Sequence, residues 1–272
     1  MNNTDRTITL SNGVEIPRVG LGVWRIDNSM VSEVVSWALD AGYRHVDTAK
    51  AYKNEEGVGK AINGSSIKRE EIFVTTKLAA TNDFFRAEKA FNESLKRLNL
   101  EYIDLYILDW PFLNWKNAWK TLEKIYKDGK VRAIGVSNFG IKQLEEFKNL
   151  GGMKPMINQV ELSPFLNRKK LISYCKSEGI AIEAYSPLTR GRRINDETIS
   201  EIAKKYNKSN AQIMIRWGLQ QDLIMLPKST NKDHIKSNIE VFDFEISEED
   251  MEKIYSLNEN YSALIPGWSR KD

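Results

Sequence analysis

The sequence has one cysteine, two histidines and no apolar run long enough to cross a bilayer. A lone cysteine, Cys175, excludes an intrachain disulfide framework. It lies in "KKLISYCKSEG", which reads as a helix, so Cys175 is expected to pack rather than react. With only His45 and His234 to draw on, no metal chemistry is expected. A spanning helix needs roughly 18 to 20 apolar residues. The opening "MNNTDRTITL" is polar and lacks the apolar core of a signal peptide, so a soluble cytoplasmic protein is expected. Net charge is also small, +3 from 40 basic and 37 acidic residues. That excludes any general case for nucleic-acid or membrane-surface binding.

What the chain does have is an ordinary globular balance, 41% hydrophobic and 28% charged over 272 residues. Residues 1–272 are expected to form one domain with a substantial core. "ITLSNGVEIP" carries an Asn-Gly turn and predicts a β-hairpin. Eight apolar strands follow, near "RVGLG", "RHVDT", "IFVTTKL", "YIDLYILD", "VRAIGVSN", "INQVEL", "IAIEAYSP" and "LIMLPKS". Helical patterns lie between them, such as "NDFFRAEKAFNESLKRLNL" and "NAWKTLEKIYKDGK". In the first, Phe84, Ala87, Phe91, Leu95 and Leu98 recur at helical steps of three or four. Gly129 and Gly179 stand where helices should stop before the next strand. Apolar strands with helical crossovers imply a parallel sheet covered on both faces. At this length a closed (β/α)8 barrel with an N-terminal hairpin fits better than an open doubly wound sheet, which pattern alone leaves possible.

A barrel of this kind keeps its chemistry at the C-terminal ends of its strands. The residues to inspect are therefore Asp47, Lys77, Asp109, Ser137, Asn138, Glu161, Tyr185 and Lys228. Taken singly, Asp47 reads as a helix cap, Tyr52 as a loop aromatic and Lys77 as a rim lysine. Taken together they form a chemical unit. A phenol has an ordinary pKa near 10. An adjacent ammonium lowers it, and an aspartate holds the ammonium in place. The result is a positioned proton donor for a substrate oxygen.

The stretches "NGVEIPRVGLGVW", "YRHVDTAKAYKNEEGVGKAI", "LKRLNLEYIDLY", "GKVRAIGVSNF", "NQVELSP", "AYSPL" and "LPKST" occur in an order and spacing that resemble the aldo-keto reductases over nearly the whole chain. The likeness is to a microbial, diketo-gluconate-reductase-like branch. The resemblance implies a (β/α)8 barrel that reduces aldehydes and ketones with NAD(P)H. It implies Tyr52 as general acid, Lys77 as the modulator of its pKa and Asp47 as the partner of that lysine. Alternatives on the same fold are an alcohol dehydrogenase, a reductase of conjugated C=C bonds, or a non-catalytic cofactor-binding regulator.

The chain departs from the family pattern at "YILDWP". The family has a histidine before this Trp-Pro, where it donates to the substrate carbonyl oxygen; here the residue is Asp109. An ionised carboxylate has no proton to donate and repels the developing alkoxide. At about 4 Å and an effective dielectric near 20 that repulsion approaches roughly 4 kcal/mol. Three outcomes stay open: Asp109 is protonated and donates, it is ionised and turned toward Lys77 or solvent, or carbonyl reduction is impaired.

"GLGVW" is no dinucleotide fingerprint, since the third glycine is missing. By resemblance, Gly22, Val23 and Trp24 run past the nicotinamide. Ser137, Asn138 and Gln159 meet its carboxamide, Tyr185 stacks on the ring, and Ser186, Leu188 and Asn238 complete the cofactor contacts. "LPKSTNKDHIKSN" is an independent pointer to phosphate: Lys228, Ser229 and Thr230 lead into a short helix whose N-terminus suits an anion. Arg192 and Arg193 of "TRGRR" read as a solvated loop. His234 stands where NADPH-preferring relatives carry arginine, so NADPH is expected with weakened discrimination against NADH. His45 is expected to be packed. Trp24, Trp110 and Trp268, with Phe112 and Leu113, are expected to wall an aromatic substrate pocket for a small carbonyl compound. A monomer is expected, as in most of the family.

Overall fold

The apolar runs become strands with almost no exposed surface, as a sheet covered on both faces requires. The computed structural model describes residues 6–79 and 85–264. β1 (Thr7–Thr9) and β2 (Glu15–Pro17) pair antiparallel, with Ile8 opposite Ile16. Their loop turns at Gly13, whose φ of +85° suits glycine. β3 (Leu21–Gly22), α1 (Asn28–Asp40), β4 (His45–Asp47), α2 (Glu55–Asn63) and β5 (Phe73–Leu78) begin the strand-helix alternation. It continues through α3 (Ala87–Leu98), β6 (Ile103–Asp109), α4 (Trp115–Lys127), β7 (Val131–Ser137), α5 (Ile141–Glu145) and β8 (Ile157–Glu161). Then come α6 (Lys169–Ser177), β9 (Ala181–Tyr185), α7 (Glu197–Tyr206), α8 (Asn210–Leu219), β10 (Ile224–Leu226), α9 (Lys232–Ile239) and α10 (Glu248–Tyr255).

β3 to β10 pair parallel in chain order. The sheet then closes on itself. Val19 bridges Met225 in parallel, Gly20 N–H donates to Met225 O at 2.9 Å, and Met225 N–H donates to Arg18 O at 2.7 Å. The closed barrel, not the open sheet, is the fold. Gly20 has a steric reason here: a Cβ would lie 2.6 Å from His45 Nδ1.

The helices follow from their periodicity. α3 buries Ala87, Ala90, Phe91 and Leu98 on one face, while Leu95 is partly buried and Phe84 lies outside the described residues. α4 buries Trp115, Ala118, Trp119, Leu122 and Ile125. Gly129 and Gly179 follow the last helical residues of α4 and α6 at φ +72° and +69°, a left-handed stop that favours glycine. Cys175 is buried on α6. Each fully buried aliphatic side chain contributes roughly 1.5–3 kcal/mol. Among the described residues no helix is long and apolar enough to cross a membrane.

The barrel interior is not uniformly apolar. His45 and Asp47 of β4, Thr75 and Lys77 of β5, Gln159 of β8 and Glu183 of β9 are all buried. Such polar burial is tolerated only when the groups satisfy one another.

Candidate active site

Three strands that line the barrel mouth end on a residue in left-handed conformation. Trp110 follows Asp109 at φ +67°, Asn138 follows Ser137 at +63°, and Ser186 follows Tyr185 at +50°. For non-glycine residues this costs of order 1–2 kcal/mol each. The turns face a cleft of about 1090 Å³. Asp47, Tyr52, Lys77, Asp109 and Trp110 line it together with Gly22, Trp24, Ser137, Asn138, Gln159, Tyr185, Ser186 and Leu188. Lys228, Ser229, Thr230, His234 and Asn238 line its far end. Val23 is buried behind the cleft, its N–H donating to Asp47 O at 3.1 Å. Trp268 lies outside the described residues. Phe112 and Leu113 are exposed rather than cleft-lining.

At the floor, Lys77 Nζ donates to both oxygens of Asp47, at 2.6 and 2.7 Å, to Thr48 O at 3.0 Å and to the Tyr52 hydroxyl at 3.3 Å. Tyr52 comes from a single turn of 3₁₀ helix, Lys50–Tyr52. That turn is stapled by Asn54, whose buried amide donates to Val23 O and Ile26 O, both at 2.9 Å. Asn54 lies in "KNEEG", immediately before α2, and its part is to hold the turn.

Desolvation pulls Lys77 toward its neutral form, but Asp47, Tyr52 and Asp109 outweigh it and hold the ammonium above its ordinary pKa. Burial raises the Tyr52 phenol, with Asp47 and Asp109 adding to the rise and Lys77 opposing it. The expected lowering by Lys77 is therefore present but does not prevail. Removal from water is the larger effect, so the Tyr52 hydroxyl stays protonated. Burial also lifts the Asp109 carboxyl to about 6, while Lys77 and a hydrogen bond from the Ser137 hydroxyl hold it down. Near pH 7 only about a tenth of Asp109 is protonated; below pH 6 most of it is.

His45 is packed as expected. It is fully buried with Nε2 3.0 Å from Thr75 Oγ1, and desolvation lowers its pKa to about 3, so it stays neutral.

The polar groups beside the floor suit a nicotinamide. Asn138 donates to Ser137 Oγ at 2.9 Å and accepts from the Tyr185 hydroxyl at 2.8 Å, which fixes amide and ring together. Ser137, Asn138 and Gln159 offer polar groups beside the Tyr185 ring, where they could meet a carboxamide carried on an aromatic ring. At the far end Asn231 caps α9 by accepting from the His234 N–H at 3.0 Å. Lys228 and Ser229 lie beside that N-terminus, an arrangement that fits phosphate. His234 is exposed there.

Several residues that no sequence motif singles out complete the cleft. Arg25 and Arg190 flank Trp24, their guanidinium carbons 4.6 and 5.1 Å from its ring. Leu264 closes one wall. Its segment is pinned by buried Glu161, which accepts from Ser262 Oγ at 2.6 Å, Ala263 N–H at 2.7 Å and Leu264 N–H at 3.2 Å. Arg190 and Arg192 donate to Ala263 O, so Arg192 of the "TRGRR" loop is tied to this segment. Arg193 pairs with Glu259 at 2.6 Å.

A closed (β/α)8 barrel with a buried Asp-Lys pair behind a tyrosine, at the floor of a long cleft, is an arrangement suited to a nicotinamide-dependent oxidoreductase. The match to known proteins agrees: residues 18–259 match the model of the aldo/keto reductase family. The chain belongs to that family. It is 48% identical over 257 residues to the glyoxal reductase of Bacillus subtilis (strain 168), covering 93% of each chain. It is 46% identical over 266 residues to the 9,11-endoperoxide prostaglandin H2 reductase of Trypanosoma cruzi (strain CL Brener), covering 96% of this chain and 94% of the relative. Among solved structures it is similar to the aldo-keto reductase of Bombyx mori in complex with NADP. That match has a TM-score of 0.91 and 36% identity, and it covers 96% of this chain and 95% of the other.

Proposed function

We propose that the protein reduces small aldehydes and ketones to alcohols, with Tyr52 as the proton donor and Asp109 as a second, pH-dependent donor to the same oxygen. The observation that carries this is the convergence of Tyr52 and Asp109 on one cleft floor, with Lys77 and Asp47 packed behind. The cofactor, NADPH with some use of NADH, supplies hydride to the carbonyl carbon when bound. Lys77 aligns the Tyr52 hydroxyl and stabilises the phenolate left when its proton moves to the substrate oxygen. Asp109 in its acid form donates a hydrogen bond to that oxygen; its carboxylate form opposes the charge that builds there. A substrate that excludes water from the floor pushes Asp109 further toward the acid. Trp24, Trp110 and Leu264 shape an apolar wall for small substrates, in keeping with the relative named a glyoxal reductase.

The test is the pH profile of kcat/KM for an aldehyde and a dicarbonyl compound. Wild type should gain about tenfold or more between pH 7.5 and 5.5, as the acid form of Asp109 fills through about 6. Asp109→Asn, which donates at any pH, should be flat over that range and faster than wild type at pH 7.5. An Asn variant that is no faster there and keeps the wild-type profile would remove Asp109 from the mechanism.

A further inference from the structure

Beneath the catalytic floor the barrel holds a carboxyl group that the reaction above does not use. Glu183 of β9 is fully buried. Its Oε2 accepts from Gln159 Nε2 at 2.5 Å, and the same nitrogen donates to Asp47 Oδ2 at 2.9 Å. Its other oxygen lies 3.6 Å from His45 Nε2. Burial and the neighbouring Asp47 push Glu183 above the usual carboxylate range, while Gln159 and Lys77 oppose the rise. An apolar side chain would fill this interior position at less cost, as branched residues do in other barrels.

A side-chain amide nitrogen has two hydrogens. In Gln159 Asp47 takes one and Glu183 the other. The reversed amide would set a carbonyl oxygen against two carboxyl groups, so chemistry alone fixes its orientation. The carbonyl oxygen is then all that Gln159 can offer the cleft it lines.

We propose that Glu183 is a positioning residue: by taking the second amide hydrogen of Gln159 it makes Gln159 an acceptor for the N–H2 of a carboxamide and not a donor to its oxygen. This rests on the reading that Gln159 faces the carboxamide of the cofactor. With Glu183 gone, the amide pivots on its single bond to Asp47 and its free hydrogen can turn to the cleft. A neutral acid and a neutral amide both present a carbonyl oxygen, so glutamine at 183 preserves the arrangement.

The experiment measures dissociation constants of binary complexes by tryptophan fluorescence, for NADP⁺ and for its 3-acetylpyridine analogue, which replaces the carboxamide with a methyl ketone. Having no N–H2, the analogue leaves the Gln159 oxygen unpaired, and wild type should bind it about tenfold more weakly. Glu183→Leu should cut that ratio to below about threefold, and Glu183→Gln should keep it. Glu183→Met replaces the leucine variant if thermal melting shows that it does not fold. Equal affinity of wild type for both dinucleotides would show that Gln159 does not meet the carboxamide, and the proposal falls with that reading. A wild-type ratio that persists in the folded leucine or methionine variant leaves the reading standing and overturns the role of Glu183. A ratio lost in Glu183→Gln overturns it as well.

Discussion

Lys77 Nζ sits between the two carboxylate oxygens of Asp47, at 2.6 and 2.7 Å, with side chains only 2% and 5% exposed. Neither charge can reach water, so each depends on the other. Breaking such a pair leaves an uncompensated buried charge and costs roughly 3–5 kcal/mol, whereas replacing both groups can be close to neutral. Asp47→Asn should therefore destabilise the protein by about 3 kcal/mol in urea unfolding and slow turnover at least about a hundredfold. Adding Lys77→Met should restore most of the stability and none of the activity. A double variant no more stable than Asp47→Asn would mean that the pair is not what matters at this site.

Asp109 has a stability signature of its own. Its pKa is about 6 in the folded state against an ordinary value of 3.8, so the folded protein binds the proton more tightly than the unfolded chain. Stability then falls as pH rises between about 4 and 6, and the loss is complete above that window. Asp109→Asn lacks the penalty. Discounted for partial exposure, the gain at pH 7.5 should be about 1–2 kcal/mol, or roughly 2–6 °C in Tm. At pH 4 the gain should vanish. Melting curves of both proteins at the two pH values decide it, and a gain of equal size at pH 4 would refute the assignment.

Cofactor choice should be set at the N-terminus of α9. Desolvation lowers the pKa of Lys228, and no ion pair holds it among the described residues. An anion placed there would supply the missing partner. Lys228→Met should weaken NADPH by about 10–100-fold, the worth of one charge-assisted bond, and NADH far less. His234→Arg should widen the preference for NADPH. Titration of both cofactors against both variants checks this, and parallel losses for NADPH and NADH in Lys228→Met would show that the lysine does not meet the extra phosphate.

The wall of the cleft at Leu264 depends on Glu161. Glu161→Ala leaves the Ala263 N–H without its acceptor, at a cost of roughly 1–3 kcal/mol for a buried group, and leaves the Leu264 N–H with Ser262 Oγ alone at 3.3 Å. The segment Ser262–Leu264 should loosen. Amide exchange at Ala263 and Leu264 should speed up, and KM for carbonyl substrates should rise about three- to tenfold with a smaller change in kcat. Unchanged exchange at both amides would show that other contacts hold the segment.

The strands were legible because each is an apolar run bounded by turn residues, and parallel pairing buries such runs on both faces. Asp47, Tyr52 and Lys77 were legible as a group because strand ends in a barrel face one mouth. Less could be read from residues whose role depends on depth. Glu183 in "IAIEAYSP" looks like any polar residue in a strand, and only the register of β8 against β9 sets it opposite Gln159. The balance at Tyr52 was hidden for the same reason: sequence places a lysine near a phenol but says nothing of how much water remains. Arg190 and Leu264 were hidden because their loop and segment meet across the mouth, far apart in the chain.

The ring that carries all of this is joined by Val19 and Met225, from opposite ends of the chain. During synthesis β3 emerges early, yet its second neighbour is among the last strands made. Until β10 arrives, two edges of the sheet offer unpaired backbone groups to any passing strand. The nascent chain thus passes an interval with Lys77 and Asp47 already synthesised but the ring around them unfinished.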